Sequence, residues 1–482
     1  MITRDKMYVN GQWQTPAGTS VAEIVNPATE EVVAKVSLGN EADIDVAVQA
    51  ARAAFEGWSQ TPAVERAVYL DKIVAGLEAR TDELADAITS EMGIPVMLCK
   101  GAQIGNPIFT FKEAAELARN YAFETDHGST HVVREAAGVC GLITPWNFPL
   151  NQIGGKLAPA LAAGCTVVLK PSELAPLDAF ILAEIIDAAD FPPGVFNLVV
   201  GAGPVVGEAL SSHPEVDVVS ITGSTRAGAA VAIAAAPTIK RVCQELGGKS
   251  ANIILDDADY ARSVKGGVRL SMFNTGQACN GPMRMLIPRK DQAEIEEIAL
   301  KAIETIKVGN PLVEDTYMGP LANKAQYERV LSFIQRGIDE GVTVLAGGTD
   351  KPEGCDTGYY IKPTIFTNVT NDMLSAQEEA FGPVLCLIPY DTEEEAIAIA
   401  NDNPYGLSSY IQSSDIERAR KVGRQMRAGH VELNGARFDQ GAPFGGYRQS
   451  GNGREHGEWG LEDYLETKAM IGYIPRKPKP KK

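Results

Sequence analysis

The sequence predicts an α/β protein in which strands and helices alternate along two successive domains. From Gly138 onward, short apolar runs alternate with helical patterns, which predicts a parallel, doubly wound sheet with helices on both faces. The preceding segment, residues 41–122, has apolar residues at helical spacing, and we expect its helices to pack on the same sheet. A second alternating series begins after Gly248. Because 482 residues exceed what one core usually supports, a cleft between domains is expected.

The length and spacing of the apolar runs define the elements of the first series. Between residues 150 and 163, Ile153, Leu157 and Leu161 lie on one helical face. Short apolar runs without that spacing are predicted to be strands. Strands are predicted at 138–143, 166–169, 196–200 and 216–221, and helices at 150–163, about 177–189, from about 205 and after Gly223.

The second series shows the same alternation over a longer stretch. Strands are predicted at 284–287 and 384–389, and helices at 293–306 and 393–401. A further helix, 263–272, precedes Cys279, which lies in a glycine-containing stretch. A thiol at that position can be exposed in a cleft.

The charge balance argues against polyanion binding. The chain has 44 Lys and Arg against 62 Asp and Glu, and the resulting net charge of −18 would repel a nucleic acid or an anionic membrane. The one basic cluster is the tail, residues 476–482, which could be an address or a docking arm. We interpret it as a solvated end, the commoner case for a short cationic terminus.

The chain lacks patterns typical of export or metal binding. Residues 1–11 have no apolar signal-peptide core, and the uncharged run 157–169 is too short to span a bilayer, so a cytoplasmic location is expected. Seven scattered cysteines without a Cys-x-x-Cys pair indicate reduced thiols. The five histidines show no metal-ligand spacing, and no metal site is expected.

Three polar residues are candidates for chemistry, and each also has a plainer interpretation. Cys279 is either a nucleophile or a small buried apolar side chain. Glu245, followed by Leu-Gly-Gly, is either a general base at a domain junction or a structural ion-pairing group. Asn147, in a loop with two prolines, either aims its side-chain NH₂ at an oxyanion or caps a turn.

Loops that follow predicted strands are candidates for a dinucleotide site. Lys170-Pro-Ser-Glu173 lies where open sheets bind ligands, and its carboxylate can accept ribose hydroxyls or simply be solvated. Residues 223–228 open a helix whose backbone NH groups could face a diphosphate, or they form a plain turn. Gly201, Gly203 and Gly207 imitate a dinucleotide fingerprint, but the last spacing is one residue too long for a phosphate cradle.

Seven motifs follow one another along the chain. They are Thr144-Pro-Trp-Asn-Phe-Pro149, Lys170-Pro-Ser-Glu173, Thr222-Gly-Ser-Thr225, Glu245-Leu-Gly-Gly-Lys-Ser250, Gly276-Gln-Ala-Cys279, Glu379-Ala-Phe-Gly-Pro383 and Pro443-Phe-Gly-Gly-Tyr-Arg-Gln-Ser-Gly451. This ordered series strongly resembles that of the NAD(P)-dependent, non-acylating aldehyde dehydrogenases over essentially the whole chain. So long a series is specific.

The resemblance implies a role for each candidate. Cys279 is implied as the nucleophile, Glu245 as the general base, and Asn147 with the Cys279 backbone NH as the oxyanion hole. Lys170 and Glu173 would hold the adenosine ribose, Ser224 a phosphate and Glu379 the nicotinamide ribose. The implied cofactor contacts are Ile143, Thr144, Pro145, Trp146, Lys170, Ser172, Glu173, Gly203, Gly207, Thr222, Gly223, Ser224, Leu246, Gly247, Glu379 and Phe381. The implied substrate contacts are Phe148, Gln152, Gly155, Phe438 and Phe444.

The resemblance also implies three structural parts. Residues 1–123 and 139–247 would form a Rossmann-type NAD(P)-binding domain, and 248–448 an α/β catalytic domain. Residues 124–138 and 462–482 would form a β oligomerisation arm. The assembly is accordingly expected to be a homodimer or a homotetramer.

Each step of the implied reaction requires one of these groups. The Cys279 thiolate adds to the aldehyde carbon, and fixed donors hold the resulting oxyanion. Hydride then passes to the nicotinamide, and Glu245 activates the water that hydrolyses the thioester. Two alternatives remain. Coenzyme A-acylating relatives generally lack the hydrolytic carboxylate, and a non-catalytic protein on this fold would not need Cys279, Glu245 and Asn147 together.

Specificity is predicted from a few side chains. Glu173 favours NAD, because a carboxylate repels a 2′-phosphate, while Arg226 keeps NADP possible. By resemblance, some relatives carry bulky residues where Gly155 falls, so the aldehyde tunnel is expected to be roomier here. Arg437 would suit an anionic semialdehyde, although an exposed loop arginine is the favoured interpretation.

Overall fold

The computed structural model describes residues 1–475, arranged mainly around two large sheets. The basic cluster 476–482 lies outside the described residues, so its interpretation as a solvated end stays a prediction. Within residues 1–475, none of the helices combines the length and apolar character needed to cross a membrane.

The strands are short, as is usual for sheets of this kind. They are β1 Ile2–Arg4, β2 Met7–Val9, β3 Gln12–Gln14, β4 Val21–Val25, β5 Val32–Ser37, β6 Glu124–His127, β7 Thr130–Ala136, β8 Val139–Ile143, β9 Thr166–Lys170, β10 Phe196–Leu198, β11 Val218–Thr222, β12 Arg241–Glu245, β13 Ala251–Ile254, β14 Arg284–Pro288, β15 Thr343–Ala346, β16 Thr364–Thr367, β17 Val384–Tyr390, β18 Ser408–Gln412, β19 His430–Leu433, β20 Gly451–Asn452 and β21 Leu465–Ile471.

The helices alternate with these strands through most of the chain. They are α1 Glu41–Ser59, α2 Ala63–Ala79, α3 Thr81–Met92, α4 Val96–Cys99, α5 Asn106–Asn120, α6 Pro149–Ala163, α7 Leu177–Ala188, α8 Glu208–Ser212, α9 Thr225–Ala235, α10 Tyr260–Met272, α11 Gln292–Ile303, α12 Lys324–Glu340, α13 Leu374–Gln377, α14 Glu393–Asn401, α15 Ile416–Gly423 and α16 Gly457–Glu462.

The first large sheet has eight strands in the order β20-β12-β11-β8-β9-β10-β2-β3. The five central strands, from β12 to β10, are all mutually parallel, which confirms the predicted parallel sheet. The flanking strands β2 and β20 pair antiparallel. The carboxyl ends of the five parallel strands therefore meet at one edge, where ligands bind in open α/β sheets.

Both faces of the first sheet are buried. In β9, Val167 and Leu169 join one core cluster, while Val168 between them joins another. Helices α2, α3, α5, α6 and α7 supply the first cluster, and α1, α8 and α9 supply the second. This arrangement confirms that the helices of residues 41–122 pack on the sheet, and it explains why the strands are unbroken apolar runs.

The second large sheet has seven strands in the order β15-β16-β17-β14-β13-β18-β19. All neighbours except β15 are parallel, so the second α/β series is also confirmed. The predicted strands at 284–287 and 384–389 are β14 and β17, and the predicted helices at 293–306 and 393–401 are α11 and α14.

Some element ends differ from the prediction for local physical reasons. The helix expected from about 205 begins with a π-helical turn, Gly203–Gly207, and α8 ends at Ser212, where the following His213-Pro214 cannot continue a helix. The helix expected at 263–272 begins earlier, at Tyr260, because the side chain of Asp259 caps it by accepting from the Arg262 NH at 3.1 Å.

Two smaller sheets stand apart from the large ones. Strands β1, β5 and β4 form one of them near the N-terminus, which the sequence did not lead us to expect. Strands β21, β7 and β6 form an antiparallel sheet from the two segments predicted as an arm. All residues of the edge strand β21 except Leu465 are exposed. An exposed edge strand of this kind can pair with another chain.

Two carboxyl groups are buried together beneath the first sheet. Glu91 in α3 is 1% exposed and Asp178 in α7 is fully buried. The Leu177 NH donates to Glu91 at 3.0 Å. Burial raises the pKa of Asp178 to about 7, although backbone NH groups of Ala179 and Asp178 act in the opposite direction. The fold thus holds a carboxyl group that favours its protonated form.

Candidate active site

A cavity of about 620 Å³ opens between the two large sheets and contains Cys279 in its lining. Its walls come from the start of α6, from α10 and from the second sheet. The volume lies within the usual range for small-molecule sites. The thiol therefore lies where an organic substrate can reach it.

The turn that carries Cys279 is tightly constrained. After α10, Asn274 and Thr275 adopt positive φ values of 51° and 57°, which cost energy for residues with a side chain. The Thr275 hydroxyl donates to the Gly319 carbonyl at 3.0 Å, and the Ala322 NH donates to Gln277 Oε1 at 2.9 Å. These contacts hold the turn in place and thereby fix the position of the thiol.

The Asn147 side chain reaches the same turn. Its Nδ2 donates to the Gln277 backbone carbonyl at 3.0 Å, and the backbone carbonyl of Asn147 accepts from Gln103 Nε2 at 3.1 Å and Asn274 Nδ2 at 3.0 Å. Asn147 is 3% exposed. Among residues 1–475 the second NH of its side-chain amide has no acceptor.

The Cys279 side chain is partly exposed but lies in an acidic setting. Its carbonyl packs against Gly248, where a Cβ would fall 2.5 Å from the carbonyl oxygen, so only glycine fits. Burial raises the pKa of the thiol, and the nearby carboxyl groups of Glu245, Glu379 and Glu455 raise it further, while the Asn280 NH lowers it. The thiol therefore needs a proton acceptor to become a nucleophile at neutral pH.

Among the three carboxyl groups around the thiol, Glu245 raises the pKa of Cys279 the most. It ends β12, is 5% exposed, and neither carboxylate oxygen has a hydrogen-bond partner among the described residues. Burial raises its pKa well above the usual value, Glu455 adds to the rise, and Lys156 and Arg454 oppose it. A carboxyl group with a raised pKa and free oxygens is suited to general-base chemistry.

The sequence did not lead us to Lys156 and Glu455, two charged residues that affect the pKa of Glu245. Lys156, fully buried in α6, pairs with Glu455. A small void of about 10 Å³ lies beside Glu245 and is lined in part by Glu455, Arg454 and Gly155. Lys156 was the signal in the sequence. It lies within the apolar helix 150–163, and a buried ammonium group needs an acidic partner elsewhere in the chain.

Gly155 differs from its predicted position. It lines the void beside Glu245 and is not part of the wall of the large cavity. The space next to it is filled by Glu455, whose Oε2 would lie 3.1 Å from a Cβ on Gly155. The expectation that Gly155 widens the aldehyde tunnel is therefore wrong for this structure.

The predicted cofactor residues of the first domain follow neighbouring strands. Trp146, Lys170, Ser224 and Gly247 lie just beyond, or at, the carboxyl ends of β8, β9, β11 and β12, and these strands are adjacent in the sheet. Ile143, Thr144, Pro145, Ser172, Thr222, Gly223 and Leu246 belong to the same strand ends. The structure thus brings these residues to one edge of the sheet.

Hydrogen bonds organise this edge. Lys170 Nζ donates to Glu173 Oε2 at 2.9 Å, and the Thr144 NH donates to the Lys170 carbonyl at 3.1 Å. Ser224 Oγ caps α9 by accepting from the Ala227 NH at 3.2 Å. Lys170 is 4% exposed, and its ion pair with Glu173 compensates the burial of its ammonium.

Gly203 and Gly207 form the π-helical turn after β10, the next strand along the sheet. A Cβ on Gly203 would meet nothing within 4 Å, and one on Gly207 would meet only the tip of Ile143 at 4.0 Å. These glycines leave an open surface beside the strand ends.

Two cofactor candidates come from the second domain. The Gly248 NH donates to Glu379 Oε1 at 2.9 Å, and burial raises the pKa of Glu379 to about 7. Phe381 has a positive φ of 53°, and its ring lies edge-on to Trp146 with centroids 5.5 Å apart. The two halves of the predicted cofactor site therefore face each other across the cleft.

These residues fit a dinucleotide. The buried hydroxyl of Thr144 lacks a partner among residues 1–475, and the NH groups at the start of α9 are oriented toward the same edge. Glu173 offers a carboxylate for ribose hydroxyls. The edge therefore presents the acceptors and donors that ribose and phosphate groups require.

Four of the predicted substrate residues line the cavity of Cys279. They are Phe148, Gln152, Phe438 and Phe444. Gln152 Oε1 also accepts from the Thr222 hydroxyl at 3.0 Å, which joins the substrate wall to the cofactor edge. Phe438 and Phe444 pack with their centroids 5.8 Å apart. Arg437 lies at the exposed mouth.

The cofactor residues lie at one edge of a doubly wound sheet, and a partly exposed cysteine faces them. This combination defines an oxidoreductase that depends on a nicotinamide dinucleotide and acts through a thiol. The chain belongs to the aldehyde dehydrogenase family, whose model matches residues 13–470. The enzyme accordingly oxidises an aldehyde with a nicotinamide dinucleotide as acceptor.

Named relatives support this assignment. A Pseudomonas sp. protein named 3-succinoylsemialdehyde-pyridine dehydrogenase is 56% identical over 469 residues, which is 97% of this chain and 98% of that protein. The crystal structure of an aldehyde dehydrogenase C mutant from Pseudomonas syringae with NAD+ and octanal is 51% identical, covers 98% of both chains and has a TM-score of 0.97. The Mycobacterium tuberculosis aldehyde dehydrogenase with NAD+ is 40% identical, with a TM-score of 0.96 over 99% of this chain and 100% of that one.

Proposed function

We propose that this enzyme converts an aldehyde to a carboxylic acid with Cys279 as nucleophile, Glu245 as general base and Asn147 as oxyanion donor. One arrangement carries the proposal: the Asn147 amide lies on the Cys279 turn, and the carboxyl of Glu245, which has no hydrogen-bond partner within residues 1–475, lies near the same thiol. The three groups match the nucleophile, base and donor that acyl chemistry requires.

In the first step, the Cys279 sulfur bonds to the aldehyde carbon and its proton passes to Glu245. The raised pKa of Glu245 makes its carboxylate a stronger proton acceptor than an ordinary glutamate. The aldehyde oxygen becomes an oxyanion, which the free NH of Asn147 and the Cys279 backbone NH stabilise. Each donor of this type contributes about 3 kcal/mol.

The nicotinamide dinucleotide supplies the hydride acceptor, which leaves the substrate carbon as a thioester on Cys279. Glu379, Phe381 and Trp146 would hold the nicotinamide end of this cofactor. Lys170 and Glu173 would hold the adenosine ribose, and Ser224 with the start of α9 would hold a phosphate.

Before the last step Glu245 releases the thiol proton to solvent. It then removes a proton from water, and the resulting hydroxide adds to the acyl carbon and expels Cys279 as a thiolate. The carboxylic acid leaves and the thiol is restored. The presence of Glu245 favours hydrolysis over transfer to coenzyme A, since acyl transfer to a thiol has no need of a water-activating carboxylate.

NAD is the preferred cofactor in this proposal. The Glu173 carboxylate, fixed by Lys170 at 2.9 Å, would repel a 2′-phosphate. The NAD+ complexes of the Pseudomonas syringae and Mycobacterium tuberculosis enzymes support the choice. Arg226, exposed beside Ser224, leaves slower turnover with NADP possible.

The substrate in this proposal is an aldehyde with a sizeable organic chain. The cavity of about 620 Å³ and the aromatic walls of Phe148, Phe438 and Phe444 provide the room and the apolar surface. The octanal complex of the Pseudomonas syringae enzyme and the pyridine-containing semialdehyde in the name of the Pseudomonas sp. relative agree with a cavity of this size.

We also propose the domain organisation predicted from the sequence, with 1–123 and 139–247 as the cofactor domain, 248–448 as the catalytic domain and 124–138 with 462–482 as the arm. The exposed strand β21 would pair with a second chain and produce a homodimer or a homotetramer. Sedimentation of the purified protein checks this assembly, and a monomer would overturn the assigned role of the arm.

The same proposal places the enzyme in the cytoplasm without nucleic-acid partners. The net charge of −18 supports the absence of a polyanion partner. The seven cysteines are all free, as in a reducing compartment. Fractionation of cells that produce the protein checks the location.

The first experiment measures the initial rate of reduced-cofactor formation with NAD and NADP, for wild type and Cys279→Ala. Cys355→Ala is the matched control, because that cysteine lies outside the cavity. Loss of turnover in Cys279→Ala alone supports the proposal. Equal turnover in both variants would overturn the role of Cys279, and a folded wild type without cofactor binding would favour a non-catalytic protein.

A further inference from the structure

One wall of the Cys279 cavity is polar and comes from three adjacent strands. Asn252 of β13 pairs with Tyr410 of β18, which in turn pairs with Glu432 of β19, and all three side chains line the cavity. Elsewhere the lining mixes polar side chains with the apolar side chains of Phe148, Leu270, Phe273, Phe438 and Phe444. The cavity therefore offers both polar groups and apolar surface to a substrate.

Tyr410 links this polar row to the nucleophile. Its hydroxyl donates to the carbonyl of Asn280, the residue after Cys279, at 2.8 Å. Glu432 lies one strand further from that contact, a spacing of about 5 Å. The Glu432 carboxyl is thus positioned to meet the part of a substrate that is remote from the reacting carbonyl.

The polar neighbours of Glu432 already have partners. Gln412 Nε2 donates to Asn252 Oδ1 at 3.2 Å, and Asn434 Oδ1 accepts from the Ser413 NH at 2.8 Å. Within residues 1–475 the Glu432 carboxyl makes neither a hydrogen bond nor an ion pair. It is a half-buried carboxyl group without a neutralising partner in the described chain, so a cationic ligand in the cavity can supply one.

The other charged groups of the cavity do not neutralise Glu432. Arg262 on α10 and Arg437 after β19 are exposed, while Glu455 pairs with Lys156. His430, on the same face of β19, and His456 both have a pKa lowered by burial and are neutral at physiological pH. Burial is the cause that raises the pKa of Glu432 to about 7.

We propose that Glu432 determines substrate specificity by binding a positively charged nitrogen at the far end of the aldehyde. This inference rests on the proposed function and narrows it to one substrate class: aldehydes that carry an amine or an ammonium group remote from the carbonyl. The apolar walls hold the intervening chain, and the carboxylate of Glu432 pairs with the cation. Anionic semialdehydes would be repelled.

The test compares two substrates of nearly the same shape: 4-(trimethylammonio)butanal, which is cationic, and 5,5-dimethylhexanal, which is neutral. The ratio of their kcat/KM values is measured in wild type, in Glu432→Gln and in the control Glu394→Gln, an exposed residue of α14. We expect the cation-to-neutral ratio to fall about tenfold in Glu432→Gln, since one charge-assisted contact is lost. It should stay at the wild-type value in Glu394→Gln.

A binding measurement keeps this test independent of turnover. The corresponding unreactive alcohols, cationic and neutral, are titrated into the wild-type enzyme by calorimetry. Affinity for the cationic alcohol should rise as the pH increases through about 7, because Glu432 then ionises, while affinity for the neutral alcohol stays level. The pH-dependent affinity needs no variant and is unaffected by a folding defect.

The outcomes separate the two proposals. An unchanged kcat/KM ratio in a folded Glu432→Gln, a preference for glutaric semialdehyde, or cation binding without pH dependence would overturn the role of Glu432. Failure to oxidise any aldehyde, with pH-dependent binding of the cationic alcohol, would overturn the proposed function and leave the Glu432 site supported.

Discussion

The side-chain nitrogen of Asn147 lies 3.0 Å from the carbonyl oxygen of Gln277, two residues before Cys279 in the chain. Asn147 lies in the loop between β8 of the first large sheet and α6, whereas the Cys279 turn lies between α10 and β14 of the second large sheet. The contact therefore joins loops that belong to the two large sheets.

Replacing Asn147 by alanine should lower kcat about 100-fold, because one of the two oxyanion donors is lost. Steady-state kinetics with a simple aliphatic aldehyde measure the effect. Asn120→Ala, at the exposed end of α5, is the control and should match wild type. A kcat for Asn147→Ala within twofold of that control would contradict the assigned role.

Glu245→Gln should stop the reaction after the thioester forms. A glutamine can remove a proton neither from the Cys279 thiol nor from water, so we expect one equivalent of reduced cofactor per active site to form slowly, followed by arrest. Mass spectrometry of the intact protein should show the acyl group on Cys279. Continued steady turnover, or release of the acyl group only after coenzyme A is added, would argue against a hydrolytic Glu245.

Glu173→Gln should shift the balance of cofactors toward NADP. Removal of the carboxylate at the end of β9 relieves its repulsion of a 2′-phosphate, and we expect the NAD-to-NADP ratio of kcat/KM to fall about tenfold. Glu417→Gln, exposed on α15, should leave that ratio at its wild-type value. Higher efficiency of wild type with NADP would show that Glu173 does not set the preference.

Asp178 should make the fold less stable as the pH rises. Its pKa is raised to about 7 in the folded protein from 3.8, so the folded state binds the proton more tightly than the unfolded state. Stability from this group is complete below about pH 4 and is lost as the pH rises through about 7, by at most about 4 kcal/mol. Glu91 titrates with it, since its own pKa is raised by burial and by Asp178.

Chemical denaturation at about pH 5 and about pH 8 measures this loss. Asp178→Asn should lose less stability than wild type over that interval, and Asp5→Asn, an exposed control in the loop between β1 and β2, should lose as much as wild type. If wild type and Asp178→Asn show the same loss, the buried carboxyl does not contribute to the pH dependence.

Local periodicity predicted most of the fold, because burial imposes a repeat on each element. The strands at β9 and β14 and the helix α6 follow directly from apolar runs. The three-stranded sheet of β1, β4 and β5 was missed, since half-exposed strands such as β4 give no clear apolar run. Its pairing depends on partners elsewhere in the chain.

Site residues that belong to a local motif could be predicted from the sequence. Contacts between residues far apart in the chain could not. Cys279, Glu245 and Asn147 each stand in a recognisable local sequence. Glu455 lies 299 positions from its partner Lys156, and no local pattern joins them. For the same reason Gly155 was assigned to the wrong cavity, because only the folded chain brings Glu455 beside it.

The short strand β20 pairs Gly451 with Glu245 and Asn452 with Gln244. The backbone that supports the proposed base is thus completed by residues synthesised more than 200 positions later. On the ribosome, the nascent chain exposes Cys279 well before Glu245 has its final surroundings. The reactive thiol and its base are assembled only when the C-terminal segment arrives, so an interrupted translation product would carry the thiol without a working hydrolase.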